Sequence, residues 1–405
     1  MPHISVFQGE MPRMLKQSLF TLLFDLGGIA AGLILASSFS VFISERWIIA
    51  LYPGILSMRG VIGGLFTGRL STALHLGTIN TNIFGKNAEP LHSLWSSIAV
   101  LAFVSSVLLG GLSLLFGSIL WGVDLLNTFN IFGSIIATMG LSLVVISPIT
   151  IVIAFSSFKR GLDPDIVVYP IISTVADILA TLCYILVLSL ILFSGTMGKL
   201  VGLAVCTIFS SVVLLVSYKN RRKPEFKKTM KEAVYTLIPI AFLVNVTGSV
   251  LSRISTGISR RPEVYIAYPA LINTMGDVGA IVGSTATTKL ALGTMDPSFK
   301  SMKNHKYQIA GVWAASIIVS VILAMVSSII LVPISSVDTI KFVFVILTTN
   351  IFSAISMICI AFGVAVLTFH RGLDPDNFVI PIESSLADAI TTTFLLFALG
   401  LIGWV

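Results

Sequence analysis

Apolar runs long enough to cross a bilayer follow one another from residue 17 to the C-terminus. A spanning helix needs about 20 mostly apolar residues, and nothing here alternates with the period of a membrane barrel strand. Eleven candidate spans can be marked, at about 17–44, 47–77, 92–121, 128–157, 166–195, 198–218, 232–254, 265–292, 307–334, 339–369 and 377–405. The composition agrees: 56% of residues are apolar and 11% charged, against about 45–50% and about 25% in a soluble domain. So few charges cannot cover a water-facing surface, which excludes a soluble enzyme, a nucleic-acid binder and a disordered chain. The expected class is an all-α polytopic membrane protein with no enzymatic role and no cofactor. Cys183, Cys206 and Cys359 all lie in apolar runs without metal-ligand spacing and read as packing residues.

The net charge of +7 reads as topology. With the N-terminus inside, sixteen Lys and Arg fall in cytoplasmic segments and six outside. This bias predicts a cytoplasmic N-terminus and an outside C-terminus, and the expected location is the plasma membrane. The most basic segment, 219–231, is expected to set topology, with lipid-headgroup contact as its second reading.

The chain also repeats itself. Tyr52–Ile79 (YPGILSMRGVIGGLFTGRLSTALHLGTI) aligns without a gap to Tyr268–Met295 (YPALINTMGDVGAIVGSTATTKLALGTM), with 9 identities in 28. Phe158–Thr181 (FKRGLDPDIVVYPIISTVADILAT) aligns to Phe369–Thr392 (FHRGLDPDNFVIPIESSLADAITT), with 14 in 24. The offsets, 216 and 211, are nearly equal, so one unit has been duplicated. Each unit holds five spans, and 198–218 has no counterpart. Five is odd, so the extra span restores the orientation. Two parallel five-helix repeats related by a pseudo-two-fold along the membrane normal are expected, a pseudo-dimer in one chain with the path at its seam. The expected division is a tail at 1–16, repeat one at 17–196, a linking helix at 197–218, a basic loop at 219–231 and repeat two at 232–405.

Ionisable groups inside spans are costly and default to function. Asp177 and Asp388 are repeat equivalents, each about 18–20 Å along its helix from the DPD sequence. Ser173 shares a helical face with Asp177, as Ser384 and Ser385 do with Asp388, and Thr174 is the repeat equivalent of Ser385. Carboxylates and hydroxyls form an oxygen-rich stripe suited to Mg²⁺, which keeps several waters and takes one or two carboxylates. The plain reading of each Asp is a packing hydrogen-bonder. Asp277, on a Gly-rich stretch with Asn273, has Val61 as its equivalent. It reads as an ion ligand or as a partner of Arg59. Glu383, whose equivalent is Ile172, and Asp25 in the first span are secondary pathway candidates. Asp163, Asp165, Asp374 and Asp376 read as helix caps or as an acidic cytoplasmic entrance.

The P-x-(I/L) segment running into RLSTALHLG or TTKLALG, followed by GLDPD…P…AD, resembles the membrane domain of MgtE-type magnesium transporters. It is most similar to the duplicated version in eukaryotic solute-carrier relatives and archaeal homologues. The resemblance implies a five-helix unit that acts in pairs and conducts Mg²⁺ along the pair axis. The family's central pore Asp maps onto Asp177 and Asp388. The polar position of its second helix maps onto Asp277 and Val61, and Val61 departs from the pattern. The function expected is transport of a divalent cation, Mg²⁺, at Asp177, Asp388 and Asp277. The alternative is an H⁺- or Na⁺-coupled transporter of a small solute.

Overall fold

Where no water can bond the backbone, each spanning segment must satisfy its own N–H and C=O groups. All regular structure among the described residues is helical. The computed structural model describes residues 2–42, 44–80, 88–124, 127–160, 164–222, 224–258, 261–330, 335–372 and 376–405. Side chains are described over the same residues except 2–10, 39, 88–89, 164–171, 224–225, 227–229, 231–235, 376–382 and 384.

The helices are α1 (Pro2–Leu23), α2 (Gly28–Ser37), α3 (Phe39–Phe42), α4 (Arg46–His75), α5 (Ala88–Phe116), α6 (Thr128–Lys159), α7 (Pro164–Leu188), α8 (Gly195–Asn220), α9 (Pro224–Gly257), α10 (Pro262–Ala291), α11 (Lys306–Ile329), α12 (Ser336–His370) and α13 (Asp376–Leu401). A 3-10 turn at Phe24–Gly27 joins α1 to α2. Among the described residues, nine stretches are long and apolar enough to cross a membrane. The expected span at 265–292 corresponds to α10, which is long enough but carries Asn273 and Asp277 at its middle. The expected span at 377–405 falls on α13, with a shorter apolar stretch at Ser385–Leu401.

The chain forms two compact units that cut across the sequence repeats. A central unit is Ser37–Ser252, and a terminal unit combines Met1–Ala36 with Arg253–Val405. Glycine shows how each takes in its leading helix. In the terminal unit, a Cβ on Gly32 of α2 would lie 2.1 Å from the Ile266 carbonyl oxygen of α10. In the central unit, a Cβ on Gly248 of α9 would lie 1.9 Å from the Ala50 carbonyl oxygen of α4. Only glycine allows two backbones so close. Gly32 and Gly248, like Ala50 and Ile266, stand 216 residues apart, the offset of the Tyr52 and Tyr268 segments. Each unit therefore takes its leading helix from the other sequence repeat.

Other repeat positions behave alike in both units. α4 and α10 each end on a left-handed glycine, Gly77 (φ 68) and Gly293 (φ 67), with Thr78 N–H bonding Ala73 O and Thr294 N–H bonding Lys289 O. This is a glycine-terminated helix end, and it explains the LGT sequence in each repeat. Polar pairs tie helices within each unit. In the central unit Ser113 donates to Asn245 Oδ1 (2.8 Å) and Trp121 Nε1 to Ser249 (3.0 Å), fixing α9. In the terminal unit Asn350 of α12 donates to Ser316 (3.1 Å) and Ser320 (2.9 Å) of α11. There the Arg261 guanidinium bonds Asp338 (3.2 Å) and lies 3.9 Å from the Trp404 ring, joining the ends of three helices.

Candidate cation site

In the central unit α4 and α7 run antiparallel, as three polar contacts show. Tyr184 Oη donates to the Ile48 carbonyl (2.7 Å), Tyr52 Oη meets Thr181 Oγ1 (3.0 Å), and Arg59 Nη2 donates to Asp177 Oδ1 (2.7 Å). Arg59 and Asp177 are both buried. A charge-assisted bond of this length offsets part of the cost of holding a carboxylate away from water. Sequence reading gave Arg59 as a partner of Asp277 in the alternative to an ion ligand; in the structure Arg59 bonds Asp177.

The terminal unit repeats the frame with different charges. Tyr268 Oη meets Thr392 Oγ1 (2.9 Å), and Thr392 Oγ1 donates to the Asp388 carbonyl (2.6 Å), as Thr181 does to that of Asp177 (2.7 Å). Asp388 is buried on α13. The repeat place of Arg59 is held by Met275, which is fully buried. Small residues bring α10 against α13: a Cβ on Gly276 would be 3.6 Å from Ala387 Cβ, and one on Gly279 3.5 Å from Glu383 Cγ and Cδ. Asp277 stands between those glycines and is half-buried.

Glu383 is 1% exposed, and neither of its carboxylate oxygens has a hydrogen-bond partner among the described residues. The Asp277 carboxylate lies close enough to act on it electrostatically. Asp277 is in turn in hydrogen-bonding contact with Asp25, which sits on the 3-10 turn that interrupts the first span. Two carboxyl groups in contact share a proton or a cation, because both cannot stay ionised side by side unaided.

Ser173 and Thr174 are half-buried on α7, Asn273 is half-buried on α10, and Ser385 is buried on α13. Asp163 and Asp374 lie outside the described residues, and the side chains of Asp165, Asp376 and Ser384 lie outside the described side chains. Among the described residues no group of three or more His, Cys, Asp or Glu is poised to enclose an ion. Lys289 bonds His305 Nδ1 (2.8 Å) and Gln308 within the terminal unit.

Sequence reasoning missed the Arg59–Asp177 pair. The signal was present in the register. Arg59 is two turns past Tyr52 and Asp177 one turn before Thr181, so antiparallel helices joined at Tyr52–Thr181 bring the two charges together.

The family model described as a divalent cation transporter, MgtE, matches this chain twice, over residues 52–187 and 268–398. Solute carrier family 41 member 3 of Rattus norvegicus is 23% identical over 416 residues, covering 97% of this chain and 88% of its own length. The Mus musculus member 3 is 24% identical, covering 88% and 75%, and member 2 of Xenopus laevis is 23% identical, covering 92% and 69%. No solved structure matches the chain. With two matched segments that together take in most of its length, the chain belongs to the MgtE family of divalent cation transporters.

Proposed function

We propose that the chain carries Mg²⁺ across the membrane and that the carboxylates of the terminal unit form its cation site. The observation that carries this reading is Glu383, buried beside the Asp277–Asp25 contact with neither oxygen partnered among the described residues. An ionised carboxylate in such a place is expensive unless a cation comes to it. Glu383 and Asp277 supply hard oxygen from α13 and α10. Asp388 adds a buried carboxyl at the repeat place where the central unit has an ion pair. The glycines beside Asp277 let α10 come close to α13, which puts the Asp277 and Glu383 carboxylates near one another. Asp177, expected as the symmetric ligand, is engaged by Arg59. The charge bias supports a cytoplasmic N-terminus, the repeat parity supports two parallel repeats, and a plasma-membrane location belongs to the same reading.

The Asp25–Asp277 contact favours a second reading, in which a shared proton couples the movement of a small solute. Reconstitution separates the two. Proteoliposomes loaded with a Mg²⁺ indicator should show Mg²⁺ uptake without an imposed H⁺ or Na⁺ gradient. Asp277→Asn and Asp388→Asn should each cut that uptake at least about tenfold, since removing charge removes what offsets ion dehydration. Proton movement without Mg²⁺ movement would support the coupled reading instead.

A further inference from the structure

We propose that Arg59 is a built-in counter-cation. Its guanidinium takes, in the central unit, the role that the transported divalent ion takes in the terminal unit, so the chain holds Mg²⁺ at one set of carboxylates only. This rests on the reading of Glu383 and Asp277 as cation ligands.

The units share a frame and differ in charge. Both carry the Tyr–Thr bond and a buried Asp one turn from the Thr. In the central unit the cation is covalently part of the chain: Arg59 reaches Asp177 at 2.7 Å. In the terminal unit Met275 replaces that Arg, and carboxylates appear where the central unit has Val61 and Ile172. Gly63 and Gly279 are repeat equivalents, and an ionisable side chain lies beside each, a guanidinium at Gly63 and a carboxyl at Gly279. A Cβ on Gly63 would lie 3.6 Å from Arg59 Nη1, and one on Gly279 3.5 Å from Glu383 Cδ.

Among the described residues, the space beside Arg59 is lined by hydroxyls but by no carboxylate. A small pocket of about 30 Å³ borders Arg59, lined among others by Phe66, Ser142, Ser147 and Thr150. The three hydroxyls donate to backbone carbonyls of their own helix, those of Met139, Leu143 and Ile146. An arginine stays protonated even when buried. A divalent ion entering this cavity meets like charge, and the nearby carboxylate is already bonded. Terminal and central units thus solve one electrostatic problem in two ways, one with a cation that can leave and one with a cation that cannot.

Mg²⁺ titration calorimetry on the full chain in lipid nanodiscs tests this. Wild type should bind a single Mg²⁺ in its membrane domain. Arg59→Met, which copies Met275, should free Asp177 and admit a second, about doubling the bound Mg²⁺. Arg59→Met combined with Asp177→Asn removes both charges and should return to a single Mg²⁺ of wild-type affinity, within about twofold. A folded Arg59→Met that binds no more Mg²⁺ than wild type overturns the inference. Loss of Mg²⁺ in the double variant also overturns it, because Asp177 would then be a ligand. If Arg59→Met alone does not fold, the double variant decides, since it leaves no buried charge unpaired. Glu383→Gln isolates the underlying reading. If it binds Mg²⁺ as wild type does, the terminal site is lost and this inference with it, whereas the Arg59 failures leave that site standing.

Discussion

At the scale of single residues, two equivalent aspartates meet different fates. Asp177 is tied to Arg59, and Asp388 has Met275 at that place. Substitution should therefore separate stability from transport. Asp177→Asn strands a buried guanidinium, and breaking such a pair costs about 3–5 kcal/mol. Its thermal midpoint should fall whether or not Mg²⁺ is present. Asp388→Asn has Met275 where the central unit has Arg59, so no guanidinium is stranded from that position, and it should lower the midpoint less than Asp177→Asn does while losing Mg²⁺ uptake. Equal midpoints for the two variants would contradict the difference. The candidate residues themselves were legible in the sequence, because acids are rare within apolar runs. Their partners were not. On sequence grounds Asp277 was the one acid offered as a partner of Arg59, and the register of α4 on α7 gives Asp177 instead.

At the scale of elements, the helices follow from apolar length, but their partners do not. A helix that is apolar on every side gives no preferred face, so periodicity is silent on which neighbour it takes. That is why the exchange of leading helices between repeats was not foreseen from the duplicated segments. It depends on single glycines. Gly32→Ala and Gly248→Ala push a methyl into a carbonyl oxygen 2.1 or 1.9 Å away. Each should cost about 1–3 kcal/mol through overpacking. Gly68→Ala, also inside α4, meets no atom within 4 Å. It should be neutral or stabilising by up to about 1 kcal/mol, because alanine is the better helix former. Thermal unfolding of the three variants in one detergent checks the contrast. A loss at Gly68 equal to that at Gly248 would contradict the close crossing. The polar middle of α10 has the same lesson: Asn273 and Asp277 lower its apolar character, which fits the proposal that this helix supplies a cation ligand.

At the scale of the whole molecule, the class was readable from composition and the family from two short motifs. The unequal acids were also readable, as Asp277 against Val61 and Glu383 against Ile172, but the pairing of Arg59 with Asp177 was not, because the aligned segments do not show which helix packs on which. Asp277, Glu383 and the Arg59 position are the substituted places. Binding to the folded state alone should stabilise the chain, by about 2.7 kcal/mol at a Mg²⁺ concentration a hundred times the dissociation constant. That gain should vanish in Glu383→Gln. The most direct measurement is anomalous scattering from Mn²⁺ in crystals of the full chain. A peak beside Glu383 and Asp277 is expected, with none at Arg59 and Asp177. A peak at Asp177 with none at Glu383 would contradict a cation site built in the terminal unit.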